Sequence, residues 1–238
     1  MTKVQKVKAK LTSYLEHESP DRDVLRSTLE TLTERLPSTA IFGGMLREFA
    51  VGSARNFTSD IDLVSEVNGR EIERALREFS PKRNKFGGFR FASGKWRFDI
   101  WAFEDTWAFT QGLVKGRDLT DLFKTTFFNL DAALFHLGRR ELLFSSQYER
   151  GVLEHLLEIN LSANPAPTNM AKRAVRLAVE RELAIGPCLA EFILLYESIG
   201  SVGGLYAAVV NDLKRHSDYG FPSPYTYRPQ RSMEIPQI

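Results

Sequence analysis

A sequence of 238 residues holds one large domain or two small ones and is long enough to bury a substantial core. Its formal net charge of +2, pI near 8.6 and ordinary apolar content exclude a low-complexity or strongly polyelectrolyte chain, and neither require nor exclude a nucleic-acid partner. The single cysteine, Cys188, excludes an internal disulfide; no apolar run is long enough to span a bilayer, and the basic N-terminus lacks a signal peptide's apolar segment, so a cytoplasmic protein is expected.

In chain order, residues 3–17 and 21–36 read as amphipathic helices, the second with Val24, Leu25, Leu29, Leu32 and Leu36 near helical spacing. Ser19-Pro20-Asp21 supplies its start. Thr39 to Phe42 reads as a strand ended by Gly43-Gly44, with a short helix from Met45 to Ala50 behind it. Asp60-Ile61-Asp62-Leu63-Val64 alternates with the period of a strand. Glu71 to Phe79 is helical, and Phe86–Ala92 and Lys95–Phe103 form a hairpin around Ser93-Gly94.

Beyond Leu119 the texture turns helical, over 122–137, 151–161, 170–183, 188–198 and 205–215. Residues 219–238, rich in Pro and Tyr, form a tail or a strap against the body or a partner protein. The expected architecture is α+β: a mixed-sheet head with N-terminal helices over 1–118, an all-helical neck-like domain over 119–218, and the tail.

Charged side chains at alternate positions of an apolar strand need compensation. Ile61 and Leu63 can anchor their strand in a core while Asp60 and Asp62 share the other face. In the hairpin strand, Phe98 and Ile100 take one face and Arg97, Asp99 and Trp101 the other. If the two strands are neighbours, Asp60, Asp62 and Asp99 form a cluster of hard oxygen donors suited to Mg²⁺, enough for two ions, with Mn²⁺ as a substitute. Gly43 and Gly44 let backbone amides approach a phosphate at a helix start, and Arg47 lies one turn further on. Taken singly, each feature has a plainer reading: a turn, a surface Asp-x-Asp, an ion pair of Asp99 with Arg90 or Arg97, a solvated arginine. Their order and spacing carry the signal.

The set of Gly-Gly-x-x-Arg, then Ser59-Asp-Ile-Asp-Leu-Val64, then a hairpin strand with a central acid, resembles the DNA polymerase β-type nucleotidyltransferases. Within them it is most similar to the head of bacterial poly(A) polymerases and CCA-adding tRNA nucleotidyltransferases. The resemblance implies that Asp60, Asp62 and Asp99 carry metal and catalysis, and that Gly43, Gly44, Arg47 and Ser59 meet the nucleotide. It extends to Phe127–Phe135, where Asp131 takes an asparagine position, and to Lys172–Ala178, similar to a neck helix with two arginines, here Arg173 and Arg176. These three are further nucleotide-binding candidates.

There are departures. Thr125, Thr126 and Phe127 stand where Arg-Arg-Asp is expected, and Thr168-Asn-Met near the base-reading acidic pair; Glu48 replaces an aspartate. The sequence also ends short of the family's helical body, so routine CCA addition is not expected. The activity implied is transfer of NMP from an NTP, ATP or CTP, to an acceptor hydroxyl, an RNA 3′ end such as that of tRNA, by a specialised or toxin/defence enzyme. Transfer to a protein or small molecule, and nucleotide binding without turnover, are the alternatives.

Overall fold

A computed structural model describes residues 1–52, 57–196, 204–217, 224, 225 and 227. These fall into two compact units, 1–154 and 155–238.

In the first unit, helix α1 (Lys3–Glu16) starts at a capping box in which Thr2 and Gln5 satisfy each other's backbone amides. Its buried stripe of Val4, Val7, Leu11, Tyr14 and Leu15 follows helical spacing. Helix α2 (Pro20–Arg35) is capped by Ser19 with Pro20 in its first turn, and buries Leu25, Leu29 and Leu32. Strand β1 (Thr39–Phe42) leads into α3 (Gly44–Val51), and β2 (Ile61–Ser65) into α4 (Gly69–Ala75) and a 3₁₀ turn at Arg77–Phe79. A two-residue strand β3 (Lys82–Arg83), then β4 (Phe89–Ser93) and β5 (Trp96–Ala102) follow, with a short α5 (Trp107–Thr110) beyond.

The sheet is completed by β6 (Ala133–His136) and β7 (Glu141–Phe144), before α6 (Ser146–Glu154). The strand order is β3-β4-β5-β2-β1-β6-β7. Strands β2 and β5 run parallel; the other neighbours are antiparallel. The hairpin between β4 and β5 turns at Gly94, whose φ is +56°. Phe91 and Phe98 stack at 4.7 Å on its buried face, and Tyr14 meets Phe49 edge-on at 5.1 Å between α1 and α3.

The mixed sheet followed by helices agrees with the α+β expectation, but details differ. The helix expected over 122–137 is absent: 3₁₀ turns at Leu119–Thr125 and Asn129–Asp131 lead into β6, all four of whose residues are buried. A nearly continuous apolar run suits a strand covered on both faces as well as it suits a helix, and pairing with β1 decides the matter. Residues 119–154, expected in the helical domain, therefore belong to the first unit. His136 is buried on β6.

The second unit comprises α7 (Pro167–Glu180), α8 (Pro187–Leu195), α9 (Leu205–Ser217) and a parallel pair of two-residue strands, β8 (Leu156–Leu157) and β9 (Ala184–Ile185). Glu158 accepts from the amides of Cys188 and Leu189, so its carboxylate closes the start of α8. Tyr225, within the expected tail, bridges to Ile185 and hydrogen-bonds Asp212, which straps it to its own unit. Most of the expected tail lies outside the described residues. Among the described residues no helix is long and apolar enough to cross a membrane.

Candidate active site

The carboxylates stand on the open face of the sheet where its parallel pair meets. Ile61 and Leu63 are fully buried, which fixes β2 and turns Asp62 to the other face. Phe98 and Ile100 do the same for Asp99 on β5. The register pairs Asp62 with Asp99 directly, so the two acids are neighbours on one face. Asp60 lies one residue before β2 rather than on it. Trp101 shares the acidic face, meeting Phe42 edge-on and donating its indole N–H to Thr106, whereas Trp96 is buried in the core.

Beyond β1 the chain turns at Gly43, whose φ of +67° and ψ of −116° suit glycine alone. No side chain caps the start of α3, and the first amides of a helix lack intrahelical acceptors. A Cβ on Gly44 would stand 3.8 Å from Asp62 Oδ2 and 3.5 Å from Arg47 Nη2, so this helix start lies against the acidic pair. Ser59 is exposed at the bend preceding Asp60.

Two of the three acids are held by arginines. Arg90, the register partner of Asp99, places Nε 2.8 Å from Asp99 Oδ2, while Asn84 donates to Oδ1 at 2.9 Å. Arg97 Nε lies 2.8 Å from Asp60 Oδ1 without the alignment of a hydrogen bond, leaving that buried oxygen with no hydrogen-bond partner. The hydrogen bond that Arg90 donates to Asp99, then the charge of Asp99, then the charges of Asp60 and Asp62 raise the pKa of Arg90, so all three carboxylates act on one guanidinium.

Among the described residues no three acids, histidines or cysteines are gathered tightly enough to cage a metal ion. The donor set nonetheless fits a hard divalent cation. Its ligands are carboxylate oxygens, Asp62 and Asp99 stand side by side, and Asp60 Oδ1 is buried and unbonded. The side chains of Arg90 and Arg97 are 66% and 68% exposed, so their ion pairs are of the solvent-screened kind that costs little to open.

Arg47 sits elsewhere than expected for a solvated phosphate ligand. It is 6% exposed, forms an ion pair with Asp131 and lies 3.6 Å from Glu48. It thus braces α3 against the turn carrying Asp131, two expected nucleotide contacts that meet each other. Thr125 and Thr126 spend their hydroxyls on nearby carbonyls, and Phe127 is buried, so this segment is packing rather than a charged motif. Arg173 and Arg176 are exposed on α7 of the second unit, opposite Ala171, Ala174, Val175 and Ala178. Asn84 was not foreseen. Its side chain also accepts from the amides of Phe86 and Gly88, and the only trace in the sequence is an Asn four residues before a Gly-Phe step.

No protein-family model matches the chain, and no curated protein matches it. Solved structures do. The Thermotoga maritima CCA-adding enzyme complexed with tRNA is 18% identical, with a TM-score of 0.58 over 95% of this chain and 57% of that one. A CCA-adding enzyme with CTP is 18% identical over 94% and 56%, TM-score 0.58, and one with ATP 20% identical over 80% and 45%, TM-score 0.57. The chain spans about half the length of these structures. The likeness is one of fold: over most of its length the chain folds as these CCA-adding enzymes do.

Proposed function

We propose that the protein is a metal-dependent nucleotidyltransferase that moves an NMP unit from an NTP to the hydroxyl of an RNA 3′ end. The observation that carries this is the side-by-side register of Asp62 and Asp99 against the uncapped, glycine-opened start of α3. The fold shared with enzymes solved in complex with ATP, CTP and tRNA supports the substrates.

Asp60, Asp62 and Asp99 would hold Mg²⁺. When bound, the ion offsets the carboxylate and triphosphate charge and lowers the pKa of the attacking hydroxyl. Gly43 turns the chain so that the amides at the start of α3, Gly44 first, receive the triphosphate, where a helix start favours negative charge. Asn84 keeps Asp99 Oδ1 occupied, so Oδ2, once released by Arg90, is the oxygen left to take the acceptor's proton. The acceptor oxygen then bonds to the α-phosphorus, the bond to the β-phosphate oxygen breaks, and pyrophosphate leaves. Arg47, through Asp131, holds α3 in place.

Incubation with each α-labelled NTP and total RNA tests the proposal. Label should enter RNA with release of pyrophosphate, and Asp62→Asn should lower the rate by at least about a thousandfold while the protein stays folded. Undiminished transfer by Asp62→Asn sinks the proposal.

A second reading rests on the ion pairs Arg90–Asp99 and Arg97–Asp60, which neutralise two acids without any metal. It makes the protein a nucleotide-binding regulator. Calorimetric binding of Mg²⁺-NTP with no pyrophosphate release from any RNA, protein or small-molecule acceptor selects it.

A further inference from the structure

Segment 81–90 carries four cations, Lys82, Arg83, Lys85 and Arg90, and no acid, in a chain whose net charge is +2. The strand registers distribute them. Lys82 pairs with Arg90, Arg90 with Asp99, and Asp99 with Asp62, so these four side chains form one row across four strands on one face. Arg97, two residues before Asp99, shares that face, while Arg83 lies over the ring of Phe89 as its register partner. At the tip of the loop between β3 and β4, Phe86 is 52% exposed with Lys85 Nζ 4.9 Å from its ring centroid. Asn84 ties that loop to Asp99.

The row has a direction. The start of α3 lies at its Asp62 end, and Lys82 stands two strand spacings, roughly 10 Å, beyond Asp99 at the other. In an in-line displacement the acceptor approaches opposite the leaving pyrophosphate. With the triphosphate at Gly43 and Gly44, the acceptor comes from the Arg90 and Lys82 side. A cationic track flanked by an exposed aromatic ring is the equipment of a single-strand site: cations follow the backbone and the ring stacks a base.

We propose that this edge of the sheet, with Lys82 and Arg90 on its open face and Phe86 at its loop tip, docks the single-stranded 3′ segment of an RNA acceptor. The inference deepens the nucleotidyltransferase reading and rests on it for the direction of approach. A strand bound there draws Arg90 toward its phosphates and away from Asp99, so docking and release of the carboxylate are one event.

The test is fluorescence anisotropy of a short single-stranded RNA with a free 3′ hydroxyl and a 5′ fluorescein, titrated with the full chain at stepped KCl without NTP. Lys82→Glu and Phe86→Ala should each weaken binding about tenfold, and Lys82→Ala should lower the salt slope by about 0.7. Lys8→Glu, the same charge change on the exposed side of α1, should leave the affinity within about twofold of the parent. Parent-like binding by Lys82→Glu and Phe86→Ala overturns the proposal, as does an equal loss in Lys8→Glu, which would mark bulk charge. Asp62→Asn separates the two levels. It should bind the RNA normally while failing to transfer NMP, whereas normal transfer to RNA by the Lys82→Glu and Phe86→Ala variants defeats the docking site and leaves the catalytic reading standing.

Discussion

Arg47 and Asp131 illustrate how a charge pair inside a wall behaves. Their side chains are 7% and 15% exposed, so removing one partner strands the other in a poorly solvated place. Asp131→Ala should cost about 3–5 kcal/mol in urea unfolding, while Arg47→Met with Asp131→Leu should recover most of it. A double variant as unstable as the single one would show that the pair is more than mutual compensation. His136 is the second informative residue. Burial, then the charge of Arg139, lowers its pKa, and Nδ1 accepts from the Arg139 amide. A folded pKa below the unfolded 6.5 means that the unfolded chain binds more protons, so the stability is complete above 6.5 and is lost as pH falls through the folded value. His136→Asn should flatten the fall in thermal midpoint below pH 6.5; an unchanged slope would assign that fall to other groups.

At the scale of elements, the loop between β3 and β4 is tightly specified. A Cβ on Gly88 would meet the Ile100 carbonyl at 2.9 Å and Asn84 Nδ2 at 3.0 Å. Gly88→Ala should therefore destabilise the fold by about 1–3 kcal/mol and lower transfer further, because Asn84 loses its hold on Asp99. Wild-type turnover in a folded Gly88→Ala protein would remove Asn84 from any positioning role. The strands bearing the acids were legible because period-two alternation puts Ile61, Leu63, Phe98 and Ile100 on one side and leaves acids on the other. The same cue was missing in β6, whose two buried faces erase alternation, and so residues 133–136 read as helix. The Arg90–Asp99 pair was open to the sequence because both stand in one hairpin, whereas the Arg97–Asp60 contact depends on β2 lying beside β5, a long-range fact that local periodicity does not encode. The weak α3 start was legible through Gly43-Gly44; the Arg47–Asp131 pair, joining positions far apart in the chain, was not.

For the whole molecule, the division at 154/155 means that the first unit owns its sheet complete, from β3 at one edge to β7 at the other. A fragment of residues 1–154 should unfold in a single sigmoidal urea transition monitored by tryptophan fluorescence; a gradual, non-cooperative loss would show that the second unit is needed for the fold. The parallel junction between β2 and β5 has a kinetic corollary. Parallel neighbours cannot be joined by a tight turn, so α4, β3 and β4 must all be threaded before Asp99 arrives beside Asp62. Local pieces such as α1, α2 and the hairpin at Gly94 can form early, but the pairing of the two aspartates waits for a late, long-range closure. A nascent or half-collapsed chain therefore lacks the paired carboxylates, which come together only once this interior strand contact has formed.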